Sequence, residues 1–344
     1  MVSELRGRRV AIIGGAGFIG HHLALYLAKN GAHVETVDGL LVNNLAYFAS
    51  GSRAIPNREL YLAMINQRLN LLREAGIPLH VQDARDYHEL TRVLVQIKPD
   101  VIVHLAAVSH AGRSNKDPLS TFDHSLRTLE NALDFARDGM DRFIYLSSSM
   151  AYGNFLSAEV QEDHPLNPIG IYGALKVAGE KIVIAYQQVF DLPFTIIRPS
   201  ALYGPRCVSR RVGQIYIEAA LNGETLRVDG DGKERLDFTY IDDLVEGIGL
   251  AITNPAARNE IFNMTNGDAH SILELVETLK TEFPDVEVEY VDRDNLMPIR
   301  GTLSIAKARQ LLGYSPKNDI DVGIPKYVSW YRSLNVPIIA ATKV

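Results

Sequence analysis

A single cysteine, Cys207, stands in a chain of 344 residues. No disulfide can close within it, and the composition fits a reducing compartment such as the cytoplasm. Cys207 itself is expected to be an ordinary half-buried thiol. Positive charge is not in excess: 35 Lys and Arg against 41 Asp and Glu leave a net charge of −6. That balance argues against a surface built to neutralise the many phosphates of a nucleic acid, so any phosphate recognised here is recognised locally. No stretch approaches the roughly 20 apolar residues that a membrane-spanning helix needs. Arg6-Gly7-Arg8-Arg9 before an apolar run mimics an export signal, but Gly14, Gly15 and Gly17 interrupt the run and an amphipathic helix follows, so export is not expected. Low-complexity segments and fixed-period repeats are missing too, which removes solenoids and disordered tails. With 47% hydrophobic residues, the chain can bury one large core or two moderate ones, as a folded enzyme does.

Short β-branched runs alternate with longer helix-patterned segments over the first two hundred residues, which predicts an α/β fold with a doubly wound parallel sheet. Strands are expected near 10–13, 33–37, 79–82, 101–105, 143–147 and 194–198. After Arg198 the rhythm breaks at Pro199, Gly204, Pro205, Gly223, Gly230 and Gly232, marking a smaller α+β substrate-binding lobe. Its helix candidates are 215–221, 272–283 and 304–312. The expected division is 1–198 plus about 237–262 for the sheet domain, and 199–236 plus 263–344 for the lobe. From Asp38 to Asp83 is 45 positions, long for one connection. The insertion has a helical pattern over 57–75, with Leu60, Met64, Leu71 and Leu72 on one face. It either covers the sheet or serves as a lid or an oligomer contact.

The first strand runs straight into Gly14-Gly15-Ala16-Gly17-Phe18-Ile19-Gly20 and then a helix. In that setting Gly14 allows a tight turn, Gly17 a close approach to a pyrophosphate and Gly20 close helix–strand packing, with helix N–H groups aimed at the anion. Asp38, near the end of the second strand, is placed to hydrogen-bond the adenosine ribose and to repel a 2′-phosphate, which favours NAD over NADP. Asp83 ends the third strand and either touches the adenine edge or caps the next helix; Ala84 follows it. Leu105, Ala106 and Ala107 end the fourth strand with small side chains that permit close cofactor approach. His104 beside them reads as a packed strand histidine. The adjacent His21 and His22 cannot share a metal at helical spacing, and no metal is expected.

The fifth strand leads into Ser147-Ser148-Ser149, and Tyr172 and Lys176 follow four residues apart on one helix face. A tyrosine with an unperturbed pKa of about 10 is a poor base at neutral pH. A neighbouring ammonium, together with the positive ring of an oxidised nicotinamide, can lower it. Tyr172 is thus the candidate general base, with Lys176 as its electrostatic partner and ribose contact.

These motifs together resemble the extended short-chain dehydrogenases/reductases, the group of nucleotide-sugar epimerases, dehydratases and decarboxylases. The resemblance covers nearly the whole chain. It includes the glycine loop, His104-Leu105-Ala106-Ala107, the serine run ending Met150-Ala151-Tyr152-Gly153, Tyr172/Lys176, Arg198-Pro199, Tyr203-Gly204-Pro205-Arg206, 237–243 and Lys307-Ala308 before 312–316. It implies a Rossmann sheet, Ser148 as the catalytic hydroxyl residue, NAD as cofactor and a nucleotide-diphosphate sugar as substrate. It also implies a homodimer formed through a four-helix bundle of the helices around 119–135 and 172–189. The most similar members are UDP-sugar 4-epimerases, with the segment 68–77 closest to those acting on uronates. Family dehydratases carry Asp-Glu after the catalytic hydroxyl residue, where this chain has Ser149-Met150, and this disfavours 4,6-dehydration. His124 replaces a usual Asn. Leu236 occupies the place of the usual diphosphate-gripping arginine, displaced to Arg235. Ser149, Arg206, Arg235 and Arg300 are carried as substrate-binding candidates, with Arg210, Arg211 and Arg293 behind them. The expected activity is an NAD-dependent 4-epimerase on a UDP-hexose or UDP-uronate. Keto-sugar reduction, 3,5-epimerisation and decarboxylation remain alternatives. A dinucleotide sensor without chemistry would have no need of the tyrosine, lysine and serine.

Overall fold

The computed structural model describes residues 5–49, 55–108, 111–293 and 297–334. Seven parallel strands form the central sheet: β1 (Arg9–Ile13), β2 (His33–Asp38), β3 (Leu79–Val81), β4 (Val101–His104), β5 (Arg142–Leu146), β6 (Phe194–Arg198) and β7 (Glu260–Asn263). Their order is β7-β6-β5-β4-β1-β2-β3. The order reverses between β1 and β4, and a crevice opens at the carboxyl ends there. Residues 10–13 of β1 and all of β4, β5 and β6 are buried, as expected for strands covered on both faces. One layer of core carries Leu23 and Leu27 of α1 (Phe18–Lys29) with Leu60, Tyr61 and Met64 of α2 (Arg58–Glu74). The other gathers Leu90, Leu129, Leu133 and Val183.

Six of these strands follow the sequence pattern. The seventh does not, because Glu-Ile-Phe-Asn is four residues without alternation, and only its pairing with β6 identifies it. The lobe helices start or stop a few residues from expectation, at Val212–Leu221, Ile272–Glu282 and Ala306–Leu312. Within the insertion, Leu60, Met64 and Leu72 are buried as predicted, and the same stripe also buries Arg68. Cys207 is fully buried rather than half-buried. No helix among the described residues is long and apolar enough to cross a membrane.

α3 (Gly170–Phe190) approaches β5 closely through its glycines. A Cβ on Gly179 would sit 2.2 Å from the Tyr145 hydroxyl oxygen, and one on Gly173 would sit 2.6 Å from the Met150 carbonyl. This closeness brings Lys176 against the end of β5. Beneath it, Arg198 and Glu180 form a buried two-pronged ion pair at 2.9 and 2.7 Å, and Ser147 donates a further hydrogen bond to Glu180.

Candidate active site

The glycine loop, the start of α1 and the ends of β2 and β4 wall one cavity. Gly14, Gly17, Phe18, Ile19, Gly20, Asp38, Asp83, Ala84, Leu105, Ala106 and Ala107 all line it. Gly14 has φ of +88°, and a Cβ there would lie 2.9 Å from the Ala106 nitrogen, so only glycine lets the loop lie against the end of β4. No side chain caps the start of α1, which leaves first-turn N–H groups for an anion. The Asp38 carboxylate accepts the N–H groups of Ala16 at 3.0 Å and Leu40 at 2.8 Å. Burial pushes its pKa up, against those bonds and the charge of Arg68. Burial also acts to raise the Asp83 carboxyl, but hydrogen bonds from the Arg85 side chain and backbone hold it below its ordinary value. The following helix is capped by Asp86, so capping is not the role of Asp83. A cradle of glycines, small residues and a carboxylate at the end of β2 fits a dinucleotide.

Tyr172 and Lys176 lie on the buried side of α3, with the Lys176 ammonium 5.9 Å from the centre of the Tyr172 ring. The ammonium donates to the Leu146 carbonyl at 2.7 Å. Burial lowers its pKa to about 8, with Glu180 opposing. The expectation that Lys176 lowers the pKa of Tyr172 is not met in the protein alone. Desolvation raises the phenol, and the groups that oppose it are Arg211 and a hydrogen bond with Ser148. Ser148 also caps the turn 149–151, accepting from the Met150 N–H at 3.2 Å.

The four substrate candidates part company. Ser149 is buried and donates to Ser200 at 3.2 Å. Arg206 turns inward: its Nε donates to His21 Nε2 at 2.9 Å, and its guanidinium stacks over Trp330, so it is used to anchor α1. Arg235 points outward, ion-paired with Glu274 at 3.3 Å and bonded to the Ala269 carbonyl, while its neighbour Leu236 enters the core. Alternation along a strand explains the reversal. Arg300 is half-buried, 3.9 Å from Glu234, and its Nε has no partner among the described residues. Burial lowers its pKa, with Glu234 opposing and the charges of Arg211 and Arg293 adding to the fall. Arg211 therefore belongs electrostatically both to Tyr172 and to this arginine cluster, and it lines the cavity. The sequence reading placed it behind the other arginines because nothing in its spacing marks it.

Two further polar lining residues were not assigned to the site by the sequence. His124 sits on a π-helical turn, Asp123–Arg127, and faces the cavity; such turns gather at functional sites. The departure from the usual Asn was visible, but its place in the wall was not. Arg68 lines the same cavity from the insertion.

A family model, the NAD dependent epimerase/dehydratase family, matches residues 10–265. The chain belongs to this family. It is 30% identical to the UDP-glucose 4-epimerase of Mycolicibacterium smegmatis, over 94% of this chain and 99% of that one. It is 28% identical to the dTDP-D-glucose 4,6-dehydratase of Mus musculus, over 94% and 89% of the two chains. Among solved structures, the UDP-glucuronic acid 4-epimerase of Bacillus cereus in complex with UDP-glucuronic acid and NAD superposes with a TM-score of 0.84 at 26% identity, covering 94% and 98% of the chains. The family therefore spans epimerases and dehydratases, and residues of the site must decide between them.

Proposed function

We propose that the protein is an NAD-dependent 4-epimerase of a UDP-hexose or UDP-uronate. The observation that carries this reading is the pairing of Tyr172 with Lys176 on α3, the ammonium 5.9 Å from the centre of the phenol ring, with Arg211 and Ser148 acting to lower the phenol's pKa. The cavity residues from Gly14 to Ala107 hold the dinucleotide, with Asp38 at its ribose, Asp83 and Ala84 at its adenine end and Lys176 at its second ribose. NAD held there would supply a reversible hydride acceptor for the sugar carbon and, in its oxidised form, a positive charge. Tyr172 removes the proton from the sugar O4, Ser148 hydrogen-bonds the same oxygen, and the proton comes back from Tyr172 when the opposite face is reduced. Arg300 and Arg211 hold the diphosphate. The cofactor domain comprises 1–198 and about 237–262, and the sugar nucleotide is held by 199–236 and 263–344. Similarity to the UDP-glucose and UDP-glucuronic acid enzymes supports the substrate class.

Dehydration is disfavoured by Ser149-Met150, since Met150 is a buried apolar residue where an acid would have to expel water. The test follows the hydride. With a UDP-sugar deuterated at C4, the label should stay at C4 of the inverted product and no NADH should accumulate. Solvent deuterium at C3 or C5, NADH equal to the substrate consumed, or a 6-deoxy-4-keto product would each overturn the 4-epimerase.

The protein acts as a homodimer in this reading. Leu119, Phe122, Ile171, Val189 and Phe190 are large and exposed on the two helical segments expected to form the bundle, and such a patch marks an interface. The wild type should sediment as a dimer at micromolar concentration, and Leu119→Glu combined with Phe122→Glu should sediment as a monomer. A wild type that is monomeric throughout that range removes the interface.

A further inference from the structure

We propose that Arg68, delivered by the insertion helix, is a binding residue for the pyrophosphate of the dinucleotide. The buried stripe of α2 reads Leu60, Tyr61, Met64, Ile65, Arg68 and Leu72, so a guanidinium occupies a position at which the helix period calls for an apolar side chain. Its relative exposure is 1%. Nε and Nη2 both donate to the Arg206 carbonyl, the former at 3.1 Å. Nη1 has no partner in the protein among the described residues, and the side chain lines the same cavity as Gly14, Gly17 and Asp38. A buried cation with an unused donor is costly unless an anion meets it. The charges of Asp38 and Arg68 act on each other, but the Asp38 carboxylate is bonded to the backbone at Ala16 and Leu40, and among the described residues no hydrogen bond joins it to Arg68 Nη1.

The backbone contact also explains how the guanidinium is aimed. Two of its nitrogens are fixed on one carbonyl, so the third has a set direction. Arg206 is in turn fastened by His21, whose Nδ1 is 2.8 Å from the Gly17 carbonyl. Arg68, the loop at Arg206 and the glycine loop thus form one connected frame around the dinucleotide. The insertion is neither a plain cover nor a free lid in this account: it supplies a charge that the glycine loop lacks.

This inference rests on reading the cavity as a dinucleotide site and not on the epimerase chemistry. It is tested by titrating NAD, ADP-ribose and adenosine into the nucleotide-free full chain by calorimetry, with saturation-transfer NMR for weak binding. Arg68→Met should weaken NAD and ADP-ribose by about tenfold or more, as for loss of a charge-assisted hydrogen bond, and leave adenosine within about twofold. Unchanged NAD affinity overturns the proposal, and so does an equal loss of adenosine, which would mean a collapsed pocket. Should Arg68→Met not fold, Arg68→Lys takes its place. Its one nitrogen cannot stand at the positions of Nε and Nη2 on the Arg206 carbonyl and at that of Nη1 together, so NAD binding should fall while adenosine binding does not, and NAD binding at the wild-type level overturns the assignment. A wild type that binds NAD but epimerises nothing would sink the proposed function and leave Arg68 where it is.

Discussion

Tyr172→Phe should lower turnover by about 10³-fold or more, near the upper range for loss of a general acid–base group, while the fold and NAD affinity stay within about twofold of the wild type. The ring is kept, so the packing of α3 on β5 is undisturbed. What disappears is the ionisable oxygen whose pKa Arg211 and Ser148 act to lower. A loss of 10³ corresponds to about 4 kcal/mol of transition-state stabilisation. Single-turnover kinetics with a C4-deuterated sugar would separate this from a binding defect. A residual rate within about tenfold of wild type would mean that another group moves the proton. Because desolvation raises the pKa of Tyr172 in the protein by itself, the rate should also climb with pH where that phenol titrates.

Mild acid should destabilise the protein steeply, starting near the ordinary histidine pKa. Burial pushes His22 and His104 down to about 3, and burial likewise drives His21 well below its ordinary value. The bonding of His21 explains why it stays neutral: Nδ1 donates to Gly17 while Nε2 accepts from Arg206, and a second proton would turn that acceptor into a donor facing a guanidinium. His104 is stacked on Phe143, and its Nε2 has no partner among the described residues. Below pH 6.5 the unfolded chain takes up protons at these positions and the folded chain does not, so stability falls as the pH falls. At pH 5 His22 and His104 together should have removed about 4 kcal/mol, a large share of an ordinary folding free energy. Urea unfolding of the nucleotide-free protein at pH 7, 6 and 5 measures this. Equal midpoints at the three values would show that these histidines are hydrated or already paired in the folded state.

Much of the site was legible because its signals are local. A strand, a glycine turn and a helix in succession already determine where an anion sits, and Tyr172 and Lys176 share a helix face by spacing alone. Small residues at 105–107 needed only the end of β4 to become a cavity wall. The arginines were not legible in this way. Arg206 and Arg235 have the right charge at motif positions, yet one is fastened to His21 and the other faces Glu274. Arg211, with no motif of its own, lies closer in its effects to Tyr172 than either.

The family, the positions of the first six strands, the glycine cradle and the pairing of Tyr172 with Lys176 could be read from the chain alone, because each rests on local motifs and short periods that the chain carries with it. Tertiary structure alone decided the seventh strand, the destination of each arginine and the entry of Arg68 into the dinucleotide cavity. A side chain's direction at the end of a strand, and the neighbour that removes it from water, are settled by segments far away in the chain. Arg68 meets the carbonyl of Arg206, and no pattern within α2 records that meeting.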